Sequence, residues 1–210
     1  MAATDAPVAV LLAGGLARRM GGGDKPLRVL RGRPLLDYVI DRIRPQARAL
    51  VLNANGDAAR FAAWGLHVVP DPLPDFPGPL AGVLAGMRWA AAHHPDAASV
   101  LSVPTDTPFL PDDLAARLAA ARAAARLPIA CAASGGRTHP VIALWPVALA
   151  GALEAALRAG ERKIDAWTAR YGVAEAAFDD AGVDPFFNVN RPEELAEAER
   201  WLAAANRPRP

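Results

Sequence analysis

VAVLLAGGLARRMGGGDK, running from Val8 to Lys25, is the stretch that decides the fold. Its first five residues are all apolar, and the run stops at Gly14-Gly15. A strand buried on both faces reads this way, apolar throughout instead of alternating. The same pattern recurs along the chain. Ala49 to Leu52 ends at Asn53, His67 to Val69 at Pro70-Asp71, and Val100 to Val103 at Pro104-Thr105-Asp106. Ile129 to Ala133 ends at Ser134-Gly135-Gly136, and Val141 to Leu144 follows His139-Pro140. Helical stretches lie between: Pro34 to Arg44, Pro79 to Ala92, Pro111 to Leu127, Pro146 to Ala159, Lys163 to Tyr171 and Pro192 to Ala205. Leu35, Leu36, Val39, Ile40 and Ile43 make one helical face, and Pro79 and Pro111 suit a first helical turn. The order βαβαβα predicts an α/β fold with a mostly parallel sheet and helices on both faces. Ligands of such sheets bind beyond the carboxyl ends of the strands. Gly14-Gly15, Asn53, Asp71 and Asp106 each follow an apolar run, so the topology carries them to one edge.

The 210 residues suit a single domain. An apolar share of 52% and a charged share of 21% allow a sizeable core. The net charge of +1 argues against a dedicated nucleic-acid binder. Cys131 is the single cysteine, so no intramolecular disulfide forms, which fits a reducing cytoplasm. Met1 to Pro7 does not read as a secretory signal. No apolar run approaches the roughly 20 residues of a membrane span. The expectation is a cytoplasmic protein with neither nucleic acid nor membrane as a partner.

The loop after the first strand binds anions by its composition. Glycines let backbone N–H groups approach phosphate oxygens. Arg18, Arg19 and Lys25 add the charge a triphosphate would balance. It is not a Walker loop, because Lys25 follows Asp24 and precedes Pro26, and Gly14-Gly15 lacks the dinucleotide spacing. Asp106 offers a hard oxygen for Mg²⁺, which favours carboxylates together with substrate phosphates. It is poorly placed to cap the helix near Pro111, whose first turn Asp112 and Asp113 serve. Asp71 reads either as a turn former or as a nucleotide or ribose contact. Asn53 alone reads as an Asx turn. Asn188-Val189-Asn190 puts two amides on one side of an extended segment, and Asn190 caps the helix that follows.

Other polar residues carry less. His93-His94 suits a helix C-terminus, and His67 reads as structural. His139, beside Arg137, stands near a substrate side without a catalytic partner in the sequence. Cys131 sits in an apolar run and reads as buried and inert. No Cys and His cluster has zinc spacing.

Taken together, the motifs resemble those of the molybdenum cofactor guanylyltransferases. The resemblance rests on Leu12-Ala13-Gly14-Gly15 with Arg19-Met20-Gly21-Gly22 and Asp24-Lys25, on Asp71 ahead of Gly78-Pro79-Leu80-Ala81-Gly82, and on Pro104 to Pro111. His139-Pro140-Val141 and Phe187-Asn188-Val189-Asn190 complete it, so that it spans Val8 to about Leu195. It implies a Rossmann-like nucleotidyltransferase fold, one domain over 1–210, with a nucleotide-binding part over about 6–110 and a pterin-substrate part over about 111–206. It implies GTP at Leu12, Ala13, Gly14, Gly15, Lys25, Asn53, Asp71 and Asp106, with Mg²⁺ on Asp106. Asn188 and Asn190 are associated with the pterin side, so Asn190 would combine that role with its cap. Two positions depart from the family habit: Pro26 stands where a small residue is frequent, and Thr105 where a cysteine is common.

The expected reaction is attack of a molybdopterin phosphate oxygen on the α-phosphorus of GTP, with pyrophosphate leaving. Arg19, Lys25 and Asp106 are the expected catalytic groups. A phosphate nucleophile is already ionised near neutral pH, so no general base is required. Alignment and charge neutralisation carry the rate. Protein partners would be those that deliver molybdopterin or mature molybdoenzymes. The rivals are a molybdopterin cytidylyltransferase, in which Leu-Ala-Ala-Gly would replace Leu12 to Gly15, a sugar-phosphate nucleotidyltransferase, and a catalytically silent nucleotide-binding regulator.

Overall fold

A computed structural model describes residues 6–14, 24–73, 78–179 and 182–205. A seven-stranded sheet runs through it in the order β5-β4-β1-β6-β8-β7-β9. The strands are β1 (Val8–Leu12), β4 (Ala49–Asn53), β5 (His67–Val69), β6 (Ser99–Pro104), β7 (Ile129–Ser134), β8 (Arg137–Pro146) and β9 (Val173–Ala177). A two-stranded ribbon, β2 (Val29–Leu30) with β3 (Arg33–Pro34), stands apart. β1 pairs in parallel with β4 and β6, and β4 with β5.

Each face of the sheet is covered. Ala9 and Leu11 of β1 pack with α1 (Leu35–Ile43) and α3 (Leu114–Ala125). Val8 and Val10 face the other way, toward α2 (Pro79–His93), α4 (Ala150–Arg158) and α5 (Ile164–Thr168). This is why Val8 to Leu12 had to be apolar at every position. A smaller cluster seats α6 (Pro192–Ala205) against the ribbon through Leu30, Leu35, Val189 and Ala198. Among the described residues no helix is long and apolar enough to cross a membrane. Cys131 is buried, and burial pushes its thiol up to about 11.

The structure departs from the sequence expectation in direction and in boundaries. β8 runs antiparallel to both β6 and β7. Gly135 and Gly136 both have positive φ, 55° and 74°, the tight hairpin conformation that turns β7 straight back. The pairing then slips: Cys131 faces Ala143, while Ala132 faces His139. The slip bulges β8 around Pro140, which has no N–H for the ladder, and turns Val141 toward the sheet edge described below. β2, β3 and β9 had no apolar run to announce them. β9 reads VAEAA, with Ala174 and Ala176 buried and Glu175 exposed, a half-buried edge strand.

α3 starts at Leu114, not Pro111. Asp112 pairs with Arg42 at 2.7 Å, and Asp113 makes no side-chain cap bond. The Gln46 carboxamide caps instead, accepting from the Ala115 N–H at 2.9 Å and donating to the Pro111 carbonyl at 2.8 Å. α5 spans only Ile164–Thr168 of the expected Lys163 to Tyr171.

Two glycines let α2 lie directly on the strands. A Cβ on Gly86 would come within 2.6 Å of Val10 Cβ, and one on Gly82 within 2.6 Å of Leu12 Cδ2 and closer still to Asn53 Oδ1. Gly82→Ala is therefore expected to lower unfolding stability by about 2 kcal/mol, since overpacking outweighs the helix propensity gained. Urea titration checks this, and an unchanged midpoint would show that α2 shifts freely.

Candidate active site

The carboxyl ends of β1, β4 and β6, with the loop after β5, border one cleft of about 350 Å³. Leu12, Gly14, Lys25, Asn53, Asn55, Asp71, Thr105 and Asp106 line it, joined by Gly78 and Pro79 at the start of α2 and by Val141. The N-terminal end of a 15-residue helix thus faces the cleft, where its unpaired N–H groups favour an anion. Gly78 has φ 138°, a conformation that requires glycine just before that turn.

One wall is cationic and anionic at once. The Lys25 ammonium donates to Asp106 Oδ2 and to Asn190 Oδ1. Lys25 and Asp106 side chains are each only 13% exposed. Lys25 is set by its neighbour Asp24, which pairs with Arg60 at 2.7 Å and so anchors the chain leaving the glycine-rich loop. Asp106 follows β6, held there by Thr105, whose N–H and hydroxyl both meet the Leu12 carbonyl, at 3.3 and 3.2 Å. The hydroxyl at Thr105 thus ties β6 to β1.

The opposite wall is an amide and carboxylate network. Asp71 accepts from Asn53 Nδ2 at 3.0 Å and from Asn55 Nδ2 at 2.7 Å. Asn55 Oδ1 in turn accepts from the Asp71 N–H at 2.8 Å. Asn53, buried at 4% exposure, also donates to the Val69 carbonyl at 3.2 Å. Its side chain spans β4 and β5 and holds Asp71, a longer reach than the local Asx turn expected of it. Ala13 lies buried beneath the cleft, its N–H donated to the Asn53 carbonyl at 2.8 Å.

Asn190 does not cap α6. The Glu194 carboxylate does that, accepting from the N–H groups of Asn190 and Arg191 at 2.5 and 3.0 Å. This releases the Asn190 side chain for Lys25. Asn188 is exposed, and its Oδ1 accepts from the Thr107 hydroxyl at 2.8 Å. The two amides do share a side of the segment, with Val189 buried between them.

Leu12, Gly14, Lys25, Asn53, Asp71 and Asp106 therefore meet at one cleft, and Asn190 reaches it through Lys25. Gly15, Arg18 and Arg19 lie outside the described residues. Asp24 and Thr107 stand within the quoted motifs, whereas Asn55 and Glu194 belong to none of them. Asn53-Ala54-Asn55 carries the same alternation of amides as Asn188-Val189-Asn190, which was the available signal for Asn55.

Among the described residues no three His, Cys, Asp or Glu side chains gather as a metal cage. The carboxylates that line the cleft, Asp71 and Asp106, stand apart, each with its own partners. Asp106 already holds a cation of the protein's own, Lys25, in the cleft.

A domain match and close relatives show the family. Residues 9–175 match the MobA-like NTP transferase domain. A molybdenum cofactor guanylyltransferase from Bradyrhizobium sp. (strain ORS 278) is 58% identical over 205 residues, 97% of either chain. One from Rhodopseudomonas palustris (strain BisB5) is 60% identical, covering 95% of this chain and 96% of the relative. Among solved structures, the molybdopterin-guanine dinucleotide biosynthesis protein A of Archaeoglobus fulgidus superposes with a TM-score of 0.74 at 24% identity, over 94% of this chain and 99% of that one. The last likeness is one of fold.

Proposed function

The chain belongs to the molybdenum cofactor guanylyltransferases, within the MobA-like NTP transferase domain family, and from that premise we propose how its cleft works. The enzyme transfers GMP from GTP to the phosphate of molybdopterin, forming the guanine dinucleotide form of the molybdenum cofactor and releasing pyrophosphate. The observation that carries the site assignment is the meeting of Lys25, Asp106 and Asn190 beside a helix N-terminus and across from Asp71. Residues of the proposed nucleotide part (6–110) and the proposed pterin part (111–206) thus share one wall.

GTP lies along the ends of β1, β4 and β5. Its guanine and ribose face Leu12 to Gly14, Asn53 and Asp71, and its triphosphate faces Lys25. Asp71 is held rigid by two amides, so a hydrogen bond to the nucleoside demands no reordering of the carboxylate. A base lacking the matching donor would leave it a partner short, a costly mismatch. Lys25 neutralises the triphosphate, and Arg19 supports the departing pyrophosphate. Mg²⁺ on Asp106 would supply charge neutralisation at the α-phosphoryl group. Asn188 and Asn190 orient the pterin substrate so that its phosphate oxygen lies in line with the α-phosphorus. No base is assigned, because that oxygen arrives ionised. The lone buried thiol accords with a cytoplasmic enzyme.

The deciding experiment incubates the protein with molybdopterin, Mg²⁺ and each nucleoside triphosphate in turn, and weighs the product. The expected product is the GMP adduct with one pyrophosphate released. A CMP adduct, or turnover of a sugar 1-phosphate in place of molybdopterin, would overturn the assignment.

A further inference from the structure

We propose that Asp184 is a positioning residue for the acceptor side of the cleft, anchoring the segment that carries Asn188 and Asn190 to the β7–β8 hairpin. The proposal rests on the reading of those two amides as contacts of the molybdopterin substrate.

The segment from Asp184 to Asn190 has no strand or helix of its own to fix it. It must nevertheless present two amides to a phosphoryl-transfer centre, where small misplacements are expensive. Its far end is pinned by Glu194, as described above. Its middle touches the centre itself: the Val189 N–H donates to the Asp106 carbonyl at 2.9 Å, and Thr107 holds Asn188. The near end is held by Asp184. Its Oδ1 accepts from the Phe186 N–H at 2.9 Å and from the Ser134 hydroxyl at 2.7 Å, and its Oδ2 accepts from Arg137 at 3.1 Å.

The partners are unequal. The Arg137 side chain is 68% exposed, so its ion pair contributes little. Ser134 is 3% exposed and ends β7, so its hydroxyl is a fixed donor on a rigid strand. Its one proton goes to Asp184, which leaves it an acceptor toward His139 Nε2 at 2.8 Å. The His139 ring also packs on Phe186, with centroids 4.8 Å apart, and Phe178 meets Phe186 edge-on at 5.1 Å. Both the side chain and the backbone of residues 184–186 are thereby clamped to the hairpin. Burial works against the Asp184 charge, but the Phe186 N–H, the Ser134 hydroxyl and Arg137 together hold its carboxyl below the usual range. The anchor is therefore a charged acceptor near neutral pH.

The network is distinct in its effect from the nucleotide wall. None of Ser134, Arg137, His139 and Asp184 lines the cleft, so loss of the anchor should loosen the amides without touching the residues assigned to GTP.

Asp184→Ala is expected to raise the molybdopterin KM about tenfold or more while the GTP Kd stays within about twofold. Asp184→Asn keeps the single oxygen that serves both Phe186 and Ser134, and should restore most of the loss. Hydrogen exchange should quicken at Phe186 and Val189 in the alanine variant and nowhere in β1 or β4. Should Asp184→Ala not fold, Ser134→Ala removes the hydroxyl's bonds to Asp184 and His139 while leaving the carboxylate on Phe186 and Arg137, and is read the same way. Equal losses for both substrates, or exchange unchanged at Val189, would overturn the anchor. Quickened exchange in a chain whose wild type ignores molybdopterin supports the anchor and defeats the functional reading instead.

Discussion

The Asp106→Ala protein is expected to fold and to turn over at least about a thousandfold more slowly, ~4 kcal/mol on the barrier. The fold should survive because the main chain of residue 106 does the structural work. Its carbonyl takes the Val189 N–H, and alanine keeps that bond. The variant loses the ion pair with Lys25, but Lys25 retains Asn190 and an open cleft for water. A stability loss of about 1–2 kcal/mol is reasonable for a pair still partly solvated. The rate loss has another origin. A single carboxylate beside the proposed phosphate site is what Mg²⁺ would use, and alanine offers it nothing. Steady-state rates across a Mg²⁺ titration, with thermal melts alongside, decide the matter. A variant as fast as wild type would remove the carboxylate from the chemistry.

Lys25→Met keeps the aliphatic stem and removes the charge. It is expected to lower kcat/KM by about a hundredfold to a thousandfold, ~3–4 kcal/mol, the range for losing one fixed donor to a developing charge. The two variants should part company when metal is withheld. Without a divalent ion, Asp106 only repels a triphosphate, so Asp106→Ala should bind GTP at least as well as wild type. Lys25→Met should bind it more weakly with or without metal. Calorimetric titration of wild type and both variants in EDTA and in Mg²⁺ gives all six values. Equal GTP affinity for Lys25→Met and wild type in both conditions would show that Lys25 serves only as the counter-ion of Asp106.

What could be read in advance was what depends on local pattern. Val8 to Leu12 had to be a central strand because both its faces are buried, and Asp106 had to reach the strand-end edge because a buried strand precedes it. The direction of β8 was also written locally, in Gly135-Gly136, whereas the apolar run at Val141 to Leu144 reads the same for a parallel or an antiparallel strand. β9 escaped because alanines at Ala174 and Ala176 announce an edge strand weakly. The errors at the caps are of two kinds. Asp112, Asp113 and Asn190 are good capping types by composition, yet Gln46 took its role from a position 69 residues away that only tertiary packing brings near, and Glu194 took its role from within the first turn of α6, as the far half of a capping box. Asp184 was hidden because its partner lies 50 residues away, while Asn55 was marked only by its alternation with Asn53.

The wall formed by Lys25, Asp106 and Asn190 joins positions 81 and 165 residues apart in the chain. Lys25 and Asp106 are therefore made well before Asn190, and this wall cannot be completed until that later residue has joined the chain. A chain that stops short of residue 190 would leave Lys25 with Asp106 alone, a wall with its charges in place and its last amide missing.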